Sequence, residues 1–348
     1  MVTIARNGAA LARAAAALVQ DHMAVRPGES VLITADTASD TAAVEAVLNA
    51  AALIGAKPMV SVIPQLPFQG KLADPYLSTA LCAAMSDCDV WIDLTHPFLA
   101  GSDAHDRALK TKRVRCLGSG GMDAAALTRL YGGVDLDRLY EIQSGFDELI
   151  ASAERETCRV TDELGTDVTF TLAPATQTKV RRAEKPGMNT VPGSAVLLPD
   201  IASVRGTIRV VAAMHEYYTR LDRPLTLEVE GQIRRIVERG PDVQILDRAL
   251  RRAGGGSEYG YVIHFSYGMH PAARFRGTCF IEDIRCVGAN AIGLGKPWWE
   301  PGGGENHPDA IVMRQSLEIA GQKIVENGVI VAPSDLAQRA AQLPLVYW

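Results

Sequence analysis

The sequence lacks most of the signatures that classify a chain quickly. No stretch reaches 18 uninterrupted apolar residues, which argues against a transmembrane helix. The best N-terminal candidate, "AALARAAAALVQDHM", is Ala-rich and broken by Arg13, with no basic region ahead of a Leu-rich core. It reads as a helix rather than a signal peptide. Cysteine is sparse: Cys82, Cys88, Cys116, Cys158, Cys279 and Cys286 form no CxxC pair. A chain of 348 residues needs no disulfide staples, so reduced thiols and a cytoplasmic protein are expected. Net charge is only −5, with both signs interspersed. Neither a nucleic-acid groove nor an anionic membrane surface is indicated. Walker, GxSxG and HExxH motifs are absent, so covalent catalysis by Ser or Cys has no support. "GSGG" at 118–121 follows a strand pattern but is not GxGxxG, so a dinucleotide site is not indicated.

What is present divides the chain into two styles. Hydrophobic residues make up 47% and charged residues 22%, the balance of an ordinary globular enzyme. The length suggests two domains, placed at 1–150 and 151–348. In the first, "SVLITAD" (30–36), "KPMVSVIP" (57–64), "DVWIDLTH" (89–96) and "RVRCLGS" (113–119) are short Val/Ile/Leu runs, suited to strands buried on both faces. Helical patterns alternate with them. One runs from the cap candidates Ser39 and Asp40 to Gly55. This order predicts a parallel α/β sheet covered by helices. From about 155 the period changes to two. "TCRVTDELGTDVTFTLA" turns at Gly165, "LTLEVEGQIRRIVERG" turns near Gly231, and "QSLEIAGQKIVENGVIV" is punctuated by Gly321 and "NG". With one helix around 241–252, this half is expected to be a mostly antiparallel β domain with few helices. The fold class is thus α/β plus β. The helix "DLDRLYEIQSGFDELIASAER" is expected to bridge the halves.

Seven histidines are the natural place to look for chemistry. His96 ends the strand "DVWIDLTHP", and in a parallel sheet the carboxyl ends of strands open onto the ligand crevice. His264 lies in the strand pattern "EYGYVIHFSYG", with His270 in the turn after it. His307 and Asp309 stand in "ENHPD", behind the run Gly302–Gly304. Pro308 disfavours the helical region for His307, and in an extended segment residues i and i+2 point to the same side. An imidazole and a carboxylate then converge, as two parts of a metal site or as a plain turn. A third ligand would complete a 2-His-1-carboxylate set. The glycine run is a lid hinge or a close approach to a ligand. Trp298 and Trp299 wall an aromatic pocket or pack at a domain boundary.

Taken together, "VRGTIRVVA", "LTLEVEGQIRRIVERG", "IHFSYGMHPAARF", "EDIRCVGANAIGLG" and "HPDAIVMRQSLEIAGQKIVENGVIV" resemble the aminopeptidase T-like metallopeptidases, most closely over about 205–331. The peptidases of that superfamily hold two metal ions. Against their pattern, a glutamate is replaced by His264, a second glutamate by Ile284, and a histidine by Ala291, while the terminal H-x-D remains as His307 and Asp309. Aliphatic residues cannot ligate, so the resemblance implies one metal rather than two. This is similar to the ring-cleaving 2,5-dihydroxypyridine 5,6-dioxygenase branch. That resemblance implies Fe2+ (alternatively Mn2+ or Zn2+) on His264, His307 and Asp309, and an acid–base role for His96. It further implies a small aromatic substrate, O2 as co-substrate and a homo-oligomer. His270, Arg274, Trp298 and Glu305 are expected near the substrate because they flank the motifs. A second active-site histidine of the dioxygenases has no counterpart; "EKPGMNTVPGSAVLLPD" offers Asn189 and Thr190 there. The related 5-nitroanthranilate aminohydrolases keep open a hydrolase using metal-bound water.

Overall fold

The computed structural model describes residues 8–174, 181–256, 258–297 and 304–343. Within these, the chain forms two compact units. One is built from residues up to Leu136 plus a segment that ends at Pro192, the other from Asp137 onward and from Gly193 onward.

The first unit alternates helix and strand: α1 (Gly8–Ala16), β1 (Ser30–Asp36), α2 (Thr41–Leu53), β2 (Lys57–Ile63), α3 (Thr79–Asp87), β3 (Val90–Asp93), α4 (Asp103–Lys110), β4 (Arg115–Gly118) and α5 (Ala124–Gly132). Side-chain caps start the helices where the sequence carries Ser or Asp. Asp40 accepts from Ala42 N–H, Ser78 from Leu81 N–H, Ser102 from His105 N–H and Asp123 from Ala126 N–H. Three of the apolar runs, β1, β3 and β4, are buried almost throughout, and Leu32, Trp91 and Cys116 pack with Leu81, Met85, Ala104 and Ala108. The run of β2 is not, since β2 is a sheet edge and Met59 and Val62 stand exposed. Trp91 donates its indole N–H to Thr34 Oγ1 at 2.9 Å, which satisfies the one polar atom it takes into the core.

The next elements, α6 (Leu136–Ser152), β5 (Thr157–Thr161) and β6 (Asp167–Thr171), belong to the second unit apart from the first residue of α6; β7 (Gly187–Thr190) returns to the first. The parallel sheet has the order β2-β1-β3-β4-β7. The chain steps outward from β1 to β2, then resumes on the other side of β1 with β3. The carboxyl ends of β1 and β3 therefore flank the topological switch point. The expected boundary at 150 differs from this division in two ways. Helix α6 falls in the second unit from Asp137 onward, where Phe146 packs on Tyr267 with ring centroids 5.4 Å apart. Residues 187–190 pair in parallel with β4; their short polar run, "GMNT", gave no periodicity to read.

The second unit adds β8 (Ser194–Leu197), β9 (Arg205–Met214), β10 (Tyr218–Glu230), β11 (Gln232–Ile236), α7 (Pro241–Gly254), β12 (Tyr261–Gly268), α8 (Phe280–Asp283), β13 (Asn290–Gly295), β14 (Asp309–Val312), β15 (Ser316–Ile319), β16 (Gln322–Glu326), β17 (Val329–Ile330) and α9 (Ser334–Ala341). Its strands form one antiparallel sheet ordered β17-β16-β15-β5-β6-β9-β14-β13-β12-β8, with β10 on β9 and β11 on β10. The expected hairpin turns at Gly231, whose φ of 68° is a conformation glycine adopts without a Cβ penalty. Phe170 and Phe265 stack at 4.3 Å and 7° on one face of this sheet. No described helix is long and apolar enough to cross a membrane. All six cysteines are free, and burial pushes the Cys88 and Cys158 thiols up to about 12. They are poor nucleophiles at neutral pH.

Candidate metal centre and its surroundings

Three neighbouring strands of the antiparallel sheet assemble the centre. His264 of β12 stands directly opposite Gly293 of β13, and Gly293 stands directly opposite Asp309 of β14. Directly opposed residues project from the same face, so His264 and Asp309 flank a position that has no side chain. His307 comes two residues before Asp309. The bond from Leu294 N–H to Pro308 O (2.8 Å) extends the β13–β14 ladder past the strand end and keeps the 307–309 run extended. His307 therefore projects to the same side as Asp309.

The ligand atoms converge. His264 Nε2 lies 3.0 Å from His307 Nε2 and 3.5 Å from Asp309 Oδ1, and His307 Nε2 lies 3.7 Å from Asp309 Oδ2. Donors about 2.1 Å from one ion are about 3.0 Å apart at right angles and about 3.4 Å apart at the tetrahedral angle. The observed spacings suit a single first-row divalent ion. Asp309 is 5% exposed. Burial pushes its carboxyl above the usual carboxylate range, against the pull of His307 and Arg285. A desolvated carboxylate between two imidazoles is the chemistry of a cation site. Among the described residues, this is the group of three His, Cys, Asp or Glu side chains arranged to hold a metal. The next row on the same face holds Ser266, Ala291 and Ile311, which offer no carboxylate, imidazole or thiolate.

His96 belongs to the first unit. It follows β3, beside the switch point, and its backbone N–H donates to Asp36 Oδ2 at the end of β1. Asp36 also accepts from Ala38 N–H at 2.7 Å. Asp93, 1% exposed, braces the same loop. It accepts from Thr34 Oγ1 (2.8 Å), Thr95 Oγ1 (2.7 Å) and Leu99 N–H (2.7 Å). Burial raises its carboxyl against those bonds. The His96 ring packs on Gly121, where a Cβ would lie 2.8 Å from Nδ1. That contact leaves Nε2 as the nitrogen turned from the 121 backbone. Burial lowers the His96 pKa below the ordinary imidazole value, with Asp36 pulling the other way.

His270, Arg274 and Glu305, expected near the substrate rather than as ligands, are not among these three. His270 is fully buried in the turn after β12. Its N–H donates to Arg285 O at 2.8 Å and its Nδ1 accepts from Ala272 N–H at 3.2 Å. Arg274 is exposed, and its N–H donates to Glu282 Oε1 at 3.0 Å. Glu305 is exposed in the bend before His307. Trp298 lies outside the described residues. Asn189 and Thr190 are on β7, where Asn189 pairs with Leu117 of β4. Sequence reasoning missed the buried acidic pair of α8. Glu282 also accepts from Arg276 Nε (2.9 Å), while Asp283 accepts from Arg276 N–H (2.9 Å), Gly277 N–H (2.6 Å) and Tyr218 Oη–H (2.7 Å). The pair fixes the 274–277 turn. Two carboxylates within the apolar "CFIEDI" were the available signal, since buried charges need partners.

The fold agrees with known proteins. Residues 14–332 match the family described as 2,5-dihydroxypyridine 5,6-dioxygenase, and the chain belongs to that family. Among solved structures it is similar to the 2,5-dihydroxypyridine dioxygenase of Pseudomonas putida KT2440, with TM-score 0.71 and 20% identity over 97% of this chain and 100% of that one. It is also similar to AmpT from Thermus thermophilus, with TM-score 0.65 and 14% identity over 94% of this chain and 100% of that one. No curated protein matches the sequence.

Proposed function

We propose that the protein is a mononuclear, metal-dependent ring-cleaving dioxygenase acting on a hydroxylated N-heteroaromatic such as 2,5-dihydroxypyridine, with Fe2+ as the metal. The observation that carries this reading is the convergence of His264, His307 and Asp309 on one point, with no further ligand type in the adjoining row. An iron(II) ion held by two histidines and a carboxylate keeps coordination positions open and supplies the oxygen chemistry that side chains lack. Asp309 balances the charge of that ion from within the sheet. His96, kept neutral near pH 7 by burial, accepts the ring hydroxyl proton at Nε2 and later returns it. Arg274 and Glu305, both exposed, are assigned to the substrate's polar groups, with Trp298 as an aromatic contact. His270 anchors the turn that carries Arg274. Mn2+ and Zn2+ suit the same donors, and assembly as a cytoplasmic homo-oligomer belongs to the same proposal.

The test is anaerobic reconstitution with Fe(II) or Mn(II), followed by 2,5-dihydroxypyridine and, separately, 5-nitroanthranilate in air-saturated buffer on an oxygen electrode. Oxygen uptake that keeps pace with loss of the dihydroxypyridine is expected. Turnover without oxygen consumption would overturn the dioxygenase in favour of a hydrolase.

A further inference from the structure

Gly293 has no φ that demands glycine; it is absent from the positive-φ positions and is paired on both sides, to His264 and to Asp309. A glycine inside a paired strand is destabilising relative to alanine, and it commonly marks a place where something approaches the backbone closely. What approaches here is the pair of imidazoles. A Cβ at 293 would lie 2.4 Å from both Cδ2 and Nε2 of His264 and 2.7 Å from Cε1 of His307. All three are ring atoms, so neither histidine can relieve the contact by flexing a chain end. Each ring would have to swing out as a whole.

The ladder explains why the rings lie there. His264 and Asp309 stand on strands separated by the full width of β13. Two strand spacings are about 9.5 Å, yet His264 Nε2 reaches to 3.5 Å from Asp309 Oδ1. The imidazole can do this only by leaning across β13, over the spot that a side chain at 293 would fill. Two residues away on the same face, Ala291 carries a Cβ and is 1% exposed, so the strand itself accepts alanine.

We infer that Gly293 is the positioning residue of the metal centre: the empty floor at 293 allows the three ligands to close on one ion. This rests on reading the triad as a metal site. Gly293→Ala should fold and keep its melting temperature without metal, but bind metal on the order of 100-fold more weakly, the loss typical when the support of a ligand is removed.

The experiment is anaerobic calorimetric titration of the full-length chain with Co(II) and with Fe(II), comparing wild type, Gly293→Ala and the control Ala291→Gly. Wild-type binding retained in Ala291→Gly and lost in Gly293→Ala is expected. Wild-type affinity in Gly293→Ala overturns the inference while leaving the metal reading intact; no binding by wild type overturns the metal reading itself. If Gly293→Ala does not fold, the double variant His264→Ala/Gly293→Ala decides. Recovery of the fold supports the contact with the His264 ring, and continued unfolding contradicts it.

Discussion

Two rows of side chains cross the same face of the same three strands. One reads His264, Gly293, Asp309; the other, two residues along each strand, reads Ser266, Ala291, Ile311. Backbone geometry is shared, so chemistry and volume make the difference. The first row has donors at its ends and nothing in its middle, and His307 joins from the extended run before Asp309. The second has a methyl group in the middle and an aliphatic side chain at one end. The second row thus adds no metal-ligating side chain to the first.

The contrast can be broken most severely from the ligand side. His307→Ala and Asp309→Ala should each abolish stoichiometric metal binding, read by elemental analysis after desalting. Full occupancy in either variant contradicts the ligand assignment.

His96 lies outside both rows and sharpens the comparison differently. His96→Gln should keep its metal but lose about 10²- to 10⁴-fold in kcat, the usual contribution of a general acid–base group. The sign of the pH dependence follows from burial. A base works in its neutral form, and the His96 pKa is lowered by desolvation. Activity should therefore persist below the ordinary imidazole value of about 6.5 and fall only as pH drops through the depressed pKa. An acid limb of kcat/KM at or above that value, or an unchanged rate in His96→Gln, counts against the role.

Phe265 sits between His264 and Ser266 and points to the opposite face, against Phe170. Phe265→Ala should cost about 3–5 kcal/mol of stability, measured by denaturant titration, while the folded fraction still binds metal. The smallest effect belongs to the second row. Ala291→Gly should cost about 0.5–1 kcal/mol and leave metal affinity unchanged; a large affinity loss would show that the two rows are not independent.

Much of the fold was legible because burial writes itself into local sequence. The apolar runs at 30–36 and 89–96 became β1 and β3, and Asp40 capped α2 as its position implied. Strand β7 was not legible, since its pairing with β4 depends on a partner some seventy residues earlier. The site was half legible. Pro308 gave a local reason for His307 and Asp309 to face one way. His264, 43 residues from His307, came only through family resemblance, because cross-strand register is not encoded locally. Nothing in "NAIGLG" distinguishes Gly293 from Gly295; only the ladder sets one of them beneath two imidazoles. The roles of Asp93 and the α8 pair were visible only as charges in apolar runs, with donors supplied by distant residues such as Thr34 and Tyr218.

The most direct measurement is isotopic. The Fe(II)-loaded protein is given 2,5-dihydroxypyridine under 18O2, and the ring-opened product is weighed by mass spectrometry. Incorporation of both labelled atoms is expected of a ring-cleaving dioxygenase. A product that carries oxygen from water alone would contradict it.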